Sequence, residues 1–295
     1  MALGYEGFIE LDSKYALGIG TAVPRARARL DSQGAYGGQV STPVAEIGVR
    51  APHTYDWEVY DGSINFEITK DIFSVLKAWV LDRDGQRDIL FSTRKTNQQK
   101  YVDTFWNSIS ISANEGAVLD GSVGFVAVQQ DTYAYGTQGL QGYINNKQGA
   151  GLLCPLATGM PAPLNHLQTN YSPIPAWFSK VTLGGQVFDF ISWTLEFSQD
   201  VVKFFGCNKT VGPQMPVYMG VGPMTATFSG AWMWIDPAMP ATYPADVLAT
   251  AVLNVADTSM SFKNLQLQTS SDDVQSSDST TPVQIEYAIF ELDSA

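Results

Sequence analysis

Strict alternation of apolar and hydroxyl side chains is the feature that most limits how this chain can fold. Residues 107–128 read NSISISANEGAVLDGSVGFVAV, in which Ile109 and Ile111 alternate with serines. Successive side chains of a β-strand point to opposite faces, so this run predicts a strand with one apolar face and one hydroxyl face. The connector 114–121 is rich in turn residues, and the whole stretch therefore predicts a β-hairpin.

The same alternation recurs along the chain. Apolar residues occupy every second position in segments 62–68, 189–198, 223–234 and 283–289. This pattern is typical of antiparallel strands that bury one face. In SMSFKNLQLQ the alternation changes phase, and we expect a β-bulge at residues 263–264 to restore it.

Two segments have helical spacing. Apolar residues three and four apart predict a helix over residues 70–81, with Thr69 as its N-cap and Gly85 beyond its end. A second helix is predicted over residues 245–254, directly after Pro244. The fold class expected is therefore mainly β, a β-sandwich or curled antiparallel sheets with one flanking helix in each half.

The order of these elements suggests two similar halves. We expect a first half at 1–131, a connector at 132–179 and a second half at 180–295. The connector carries a single full charge, Lys147. Two alignments of the halves stay open. The first matches segments 62–68, 70–81 and 88–93 to segments 223–234, 245–254 and 258–268, in that order. The second matches hairpin 105–128 to hairpin 189–234.

Charge and cysteine content narrow the function classes. The net charge is −12, and residues 101–295 hold 5 Lys and Arg against 16 Asp and Glu. Such an acidic balance opposes stable binding of nucleic acid. Cys154 and Cys207 lack the spacing of a zinc site or a disulfide framework. Neither a signal peptide nor a membrane span is evident, so folding in a cytoplasm without membrane insertion is expected.

Catalytic motifs are not found in the sequence, and we expect neither an enzyme nor a cofactor. His53 and His166 both lie in proline-rich loop sequence. Arg25, Arg27 and Arg29 alternate with alanine, which predicts three guanidinium groups on one strand face. We interpret them as contacts for carboxylates of an adjacent subunit; the alternative is a charged strand edge that resists aggregation.

The tryptophans divide into two groups. Four of them lie on apolar stripes and are predicted to be in the core: Trp79, Trp193, Trp232 and Trp234. Trp106 is expected to share the hydroxyl face with Ser108 and Ser110. Together with Trp57 and Trp177, it leaves a carbohydrate-binding β-sandwich as one alternative function.

Several of these segments resemble a known family. YDGSINFEITKDIFSVLKAWVL and FWNSISISANEGAVLDGSVGFVAV resemble the first half of a tailed-bacteriophage major tail tube protein. VTLGGQVFDFISWTLEFSQDVV, VGPMTATFSGAWMW, ADVLATAVLN and SMSFKNLQLQ are similar to the second half of its long, two-part members. The likeness covers roughly residues 55–130 and 178–291, and it lies in the order of the strands.

The resemblance implies a structural virion protein that assembles in the host cytoplasm into the phage tail. Copies would close into rings of three or six, and their inner sheets would join into a β-barrel. The rings would stack into a tube that DNA crosses without stable binding. Other implied partners are the tape measure, tail terminator and distal tail proteins. A capsid-decorating or fibre subunit is a further alternative.

Two sets of residues are predicted to carry this function. The hydroxyl faces and their sparse carboxylates would line the lumen, where they would hydrate the wall and repel phosphate. The lumen candidates are Glu67, Ser108, Ser110, Ser112, Ser192, Thr194, Glu196 and Glu286. The candidates for contacts between subunits or rings are Arg25, Arg27, Arg29, Glu115, Asp120, Lys203 and Lys209. Loops 113–121 and 198–221 are expected to reach the next ring.

Overall fold

The computed structural model describes residues 8–12, 14–16, 18–30, 55–94, 97–134, 172–204, 218–233, 245–272 and 282–293. These residues form fourteen antiparallel β-strands and one α-helix, α1 (Lys70–Leu81). A short 3-10 turn spans Ala176–Phe178. The predicted mainly β fold of curled antiparallel sheet is confirmed.

The first seven strands form one part of the sheet. Their spatial order is β2-β1-β5-β6-β7-β4-β3, and every neighbouring pair is antiparallel. We call this group repeat 1. Its strands are β1 (Phe8–Leu11), β2 (Lys14–Ala16), β3 (Gly18–Leu30), β4 (Tyr55–Glu67), β5 (Arg87–Arg94), β6 (Asn97–Asn114) and β7 (Asp120–Ala134).

The last seven strands have the same topology. Their order is β9-β8-β12-β13-β14-β11-β10, so that each strand of repeat 1 has a counterpart seven strands later. We call this group repeat 2. Its strands are β8 (Ser179–Leu183), β9 (Gln186–Phe188), β10 (Ser192–Phe204), β11 (Tyr218–Met233), β12 (Val247–Val255), β13 (Thr258–Asp272) and β14 (Pro282–Asp293).

This topology tests the two alignments that the sequence left open. Strand β4 corresponds to β11, as the first alignment has it, but the rest of that alignment is wrong: β5 corresponds to β12 and not to segment 258–268, and residues 245–254 provide no helix to match α1. The β6–β7 hairpin corresponds to the β13–β14 hairpin, and the second alignment, which matched it to β10–β11, is wrong. The boundaries 1–131, 132–179 and 180–295 stay a prediction, and residues 135–171 lie outside the described residues.

The two repeats join through β6 and β10. One edge of β6 pairs with β5 as far as Thr104, and from Ser108 onwards the same edge pairs with β10. The register runs from Ser108 opposite Ser198 to Asn114 opposite Ser192. We call this pairing the repeat junction. It makes the strands of both repeats one continuous sheet.

Each repeat carries a β-bulge at the corresponding place. The β6–β7 register shifts between Trp106 and Ser108, and the β13–β14 register shifts between Leu267 and Thr269. The extra residue interrupts the alternation of side chains. In each strand, the side chains before the bulge therefore point to the face opposite to the one that strict alternation predicts. The bulge predicted at residues 263–264 is wrong, because the β13 register with β14 is the same on both sides of Asn264. The change of phase there comes from a positive φ of 55° at Asn264.

Helix α1 forms as predicted. The Thr69 hydroxyl accepts a hydrogen bond from the Ile72 amide at 3.3 Å, which confirms Thr69 as the N-cap. One face of the helix is buried, as its apolar spacing requires. The Lys70 ammonium donates to the Asp257 carboxylate in the β12–β13 turn. That hydrogen bond lowers the pKa of Asp257, and it links the helix of repeat 1 to repeat 2.

The second predicted helix is wrong, because residues 247–255 form strand β12. Leu248 and Ala251 are buried three residues apart, which mimics helical spacing, but Leu253 and Val255 continue the burial at every second position. Strand β12 pairs with β8 on one edge and β13 on the other. This pairing satisfies the backbone on both sides and overrides the helix propensity of the alanines.

The predicted position of Trp106 on the hydroxyl face is also wrong. The bulge at Asn107 breaks the alternation, so Trp106 points to the same side as Ile109. Its side chain is 0% exposed, and its indole N–H donates to the carbonyl oxygen of Trp79 at 3.1 Å. Trp79 in turn donates to the Asp12 carboxylate at 2.6 Å. Trp106 is therefore part of the core.

A large hydrophobic core runs under both repeats, beside a smaller separate cluster of Phe105, Val126 and Met219. The large core combines the buried face of α1 with the inward side chains of the strands, and it includes Trp79, Trp193 and Trp232 as predicted. Trp234 lies outside the described residues. At Gly62 the ring of Phe125 occupies the space that a side chain would take, since a Cβ would lie 2.4 Å from Cζ. The helix that the structure describes is too short to cross a membrane.

Candidate functional site

The face of the sheet opposite the core is polar across seven adjacent strands. Paired residues on neighbouring strands point to the same side, so the strand registers define rows that cross the sheet. We call these rows together the polar face. The first row is Glu67, Asp120, Ser112, Thr194, Ser229, Glu286 and Thr269. The second row is Asn65, Ser122, Ser110, Glu196, Thr227, Ala288 and Gln266.

Two shorter rows flank these. The third row is Ser63, Gly124, Ser108, Ser198 and Thr225, and the fourth is Asn114, Ser192, Ala231 and Gln284. Apart from Gly124, which is buried, every residue in the four rows is exposed or partly exposed. The residues between them along the strands, such as Ile111 and Leu195, are buried in the core.

All eight predicted lumen residues lie on this one face. Sequence alternation placed each of them on a polar strand face, and the register joins those separate faces into one surface. The surface has four carboxylates, Glu67, Asp120, Glu196 and Glu286, and no Lys or Arg occurs in its rows. Its chemistry is therefore hydroxyl and amide groups with scattered negative charge.

Asp120 and Glu67 stand opposite each other on β7 and β4. Burial, and secondarily the negative charge of Glu67, raise the pKa of the Asp120 carboxyl above its ordinary value of 3.8. The folded protein thus holds the Asp120 proton more tightly than the unfolded chain does. As pH rises from 3.8 through the raised pKa, this carboxyl makes folding less favourable.

We expect Asp120→Asn to raise the free energy of unfolding at neutral pH, by roughly a few tenths of a kcal/mol because the group is largely exposed. The advantage should shrink as pH falls through the raised pKa and then through 3.8, because Asp120 becomes protonated first in the folded and then in the unfolded state. Chemical denaturation at pH 7 and pH 3.5 measures the change.

Asp257→Asn is a matched control with the opposite sign. Its pKa is lowered by Lys70, so ionised Asp257 stabilises the fold above pH 3.8 and this contribution is lost as pH falls through the lowered pKa. Asp257→Asn should therefore reduce stability at pH 7. A loss of stability at pH 7 in Asp120→Asn as well would contradict the raised pKa of Asp120.

The polar face is indented. One shallow cavity of about 220 Å³ is lined by residues of β10, β11, β13 and β14, including Thr194 and Glu286. Another of about 240 Å³ is lined by residues of β4, β6 and β7, including Ser110 and Asp120. At the edge of the first cavity the Thr269 hydroxyl donates to Glu286 at 3.3 Å. These polar indentations can hold ordered water.

The predicted contact residues are dispersed. Glu115 is exposed in the turn between β6 and β7, whereas Asp120 belongs to the polar face. Lys203 lies 3.7 Å from Asp61 of the same chain, in an ion pair between the repeats. Arg25, Arg27 and Arg29 lie on strand β3, and their side chains are outside the description; Lys209 is outside the described residues. Their roles between subunits stay predictions.

An aromatic cavity opens at one end of the sheet. It has a volume of about 470 Å³ and is lined by Phe188, Phe190 and Trp193, with residues of the β6–β7 turn on its other side. Trp177 lies at this cavity with 72% of its surface exposed. Of the three tryptophans considered for carbohydrate binding, Trp106 is buried and the side chain of Trp57 is outside the description.

Sequence reasoning missed several members of the polar face. It assigned Asp120 to contacts between rings, and it did not select the hydroxyl row of β11 as lumen residues. The alternation that would have identified them is present in the sequence. The polar members missed include Asp120, Ser122, Thr225, Thr227, Ser229, Thr269 and Gln284, and also Ser63, Asn65, Asn114 and Gln266.

Comparisons with known proteins give only a distant likeness. No family model matches the chain, and no curated protein is similar to it in sequence. Two solved structures are similar to part of it. The anti-feeding prophage cap (AFP tube terminating cap) has 15% identity and a TM-score of 0.31, covering 41% of this chain and 90% of that one. The extracellular contractile injection system, PVC sheath-tube complex in the extended state, has 7% identity and a TM-score of 0.32, covering 45% and 92%.

At these TM-scores neither likeness supports an inference about function. The described residues contain no group of three or more His, Cys, Asp or Glu placed to hold a metal ion. The function is therefore argued from the sheet itself.

Proposed function

We propose that this chain is a structural subunit of a tail tube. Copies of it join edge to edge into rings, the polar faces line the bore, and the rings stack into a conduit for DNA. The observation that carries this proposal is the polar face: seven adjacent strands present hydroxyls, amides and carboxylates without a Lys or Arg in their rows.

A DNA conduit needs such a surface for two reasons. Cations bind phosphates by releasing condensed counterions, so a wall with Lys or Arg would hold the DNA that must pass. Hydroxyl and amide groups bind water, which keeps the wall hydrated, and the four carboxylates repel phosphate. Because the large hydrophobic core lies on the opposite side of the sheet, the polar face can remain in contact with water.

The twofold repeat supports assembly into rings. Within one chain, strand β6 of repeat 1 pairs with the edge strand β10 of repeat 2. A unit that joins to its own copy in this way can continue around a ring, and closure of the ring leaves no free edge. The resemblance to tail tube proteins supports the same arrangement.

Negative-stain electron microscopy of the purified full-length chain tests the proposal. We expect rings or tubes with a central hole. A particle that remains a monomer at all protein and salt concentrations would refute the proposal. Thermal stabilisation of that monomer by glycans, abolished by Trp177→Ala, would then favour the carbohydrate-binding alternative, to which the exposed Trp177 points.

A further inference from the structure

We infer that the open edge of β13 pairs with the open edge of β3 in a neighbouring copy, in the geometry of the repeat junction. This inference rests on the proposed function, and it names the two strand edges by which the copies join. It is drawn from the correspondence between the repeats, which shows that each chain already contains one such joint.

The edge of β13 repeats the arrangement of β6. In β6, pairing with β5 ends at Thr104, the bulge follows at Asn107, and the junction to β10 begins at Ser108. In β13, pairing with β12 ends at Gln266, and the bulge follows at Gln268. From Thr269 to Asp272 the strand pairs with β14 on one edge, and no described strand pairs with the other.

The edge of β3 corresponds to that of β10. Strand β3 pairs with β4 in the same way that β10 pairs with β11, and β4 is its only partner among the described strands. In repeat 2 the other edge of β10 is filled by β6, from the preceding repeat. In repeat 1 no described strand fills the corresponding edge of β3. A second copy would supply that strand.

The registers give the expected pairing. One row of repeat 1 is Ser108, Gly124, Ser63 and Thr21, and the corresponding row of repeat 2 is Thr269, Glu286, Ser229 and Thr194. Two residues further along the edge strands, Ser110 corresponds to Ser271 and Glu196 to Val23. Since Ser110 stands opposite Glu196 in the repeat junction, Ser271 should stand opposite Val23 of the neighbouring copy.

The edge strands limit where this pairing ends. The β3–β4 register shifts between Val23 and Ala26, so Pro24, which has no N–H to donate, lies in an irregularity of the strand. We therefore expect regular pairing over Gly18–Val23. The sequence beyond Val23 carries Arg25, Arg27 and Arg29, and the sequence of β13 ends in Asp272. In the inferred register Asp272 stands opposite Ala22, and the arginines extend in the other direction, beyond the regular pairing.

Disulfide cross-linking tests the joint in the full chain, with Cys154 and Cys207 replaced by serine. Opposed residues on antiparallel strands lie about 4.5–5.5 Å apart at Cα, within the range of a disulfide. Val23→Cys with Ser271→Cys should, on oxidation, give covalent oligomers that end at the size of the closed ring. An equimolar mixture of the two single variants should give dimers only.

Ser110→Cys with Glu196→Cys is the matched control, because these positions are opposed in the repeat junction of one chain. It should form an intramolecular disulfide. If this control cross-links and rings are seen by microscopy, but Val23→Cys with Ser271→Cys stays monomeric, the inferred joint is wrong and the proposed function stands. Absence of rings in the unmodified protein would instead refute the proposed function.

Hydrogen exchange of the unmodified protein is an independent measurement that requires no variant. On ring formation, amides in segments 18–23 and 271–272 should become protected. Amides of the repeat junction should be protected before and after assembly. Unchanged exchange in both edge segments, in particles that are rings, would overturn the inferred joint.

Discussion

Replacing Trp106 with alanine is expected to lower the free energy of unfolding by about 3–5 kcal/mol, the range for removing a large aromatic side chain from a packed core. Trp106 is 0% exposed and its indole N–H donates to the Trp79 carbonyl oxygen. The substitution leaves a cavity and an acceptor without its donor, and both destabilise the folded state. Urea denaturation monitored by circular dichroism measures the change.

Ser110→Ala is the matched control on the same strand. Its side chain lies on the polar face, partly exposed, so its removal should change the free energy of unfolding by less than about 0.5 kcal/mol. The pair of variants tests the bulge at Asn107 directly. If Trp106→Ala were as mild as Ser110→Ala, Trp106 would lie on the polar face and the register of β6 would be wrong.

Reversing two charges on the polar face should convert the proposed conduit into a DNA-binding surface. Glu67→Lys with Glu196→Lys replaces two of the four carboxylates by ammonium groups, and both sites are exposed or partly exposed. Assembly should persist because neither side chain is in the core. Tubes of the variant should retain DNA, and delivery by particles that contain them should slow or stop.

The salt dependence of retention identifies the cause. The logarithm of the affinity for DNA falls linearly with the logarithm of the salt concentration. Each lysine that neutralises one phosphate should make this slope more negative by about 0.9. Sedimentation of tubes with labelled DNA at several salt concentrations measures this slope.

Two controls separate position from charge. Glu67→Gln with Glu196→Gln removes the carboxylates without adding cations and should not retain DNA. Asp84→Lys adds a cation in the exposed turn after α1, away from the polar face, and should behave like the unmodified protein. If tubes of the Glu67→Lys and Glu196→Lys variant retain no more DNA than unmodified tubes, the polar face does not line the bore.

Much of the fold was predictable because burial of one face leaves a period in the sequence. The alternation in β6, β10, β11 and β14 identifies these strands and their polar sides, and the spacing in α1 with Thr69 before it identifies the helix. Both signals are local, since successive side chains record which side of the element is dry. The eight lumen candidates on the polar face follow from the same signal.

The errors occur where a non-local pairing outweighs local preference. Residues 245–254 have apolar spacing and alanines that suit a helix, but partners on both edges make them strand β12. Alternation alone predicts that Trp106 lies on the hydroxyl face. The register with β7 shows an extra residue at Asn107, which places Trp106 on the buried face. A bulge is a mismatch between two strands, so a single strand cannot reveal it.

By itself, the sequence determined that this protein is a mainly β chain whose strands each have one apolar and one hydroxyl face, with one capped helix. Only the tertiary structure decided that seven of these strands lie side by side to form one polar surface, and that seven-stranded repeats follow each other through β6 and β10. The physical reason is that alternation records the environment of each strand, whereas the identity of its neighbour depends on hydrogen bonds between segments far apart in the chain.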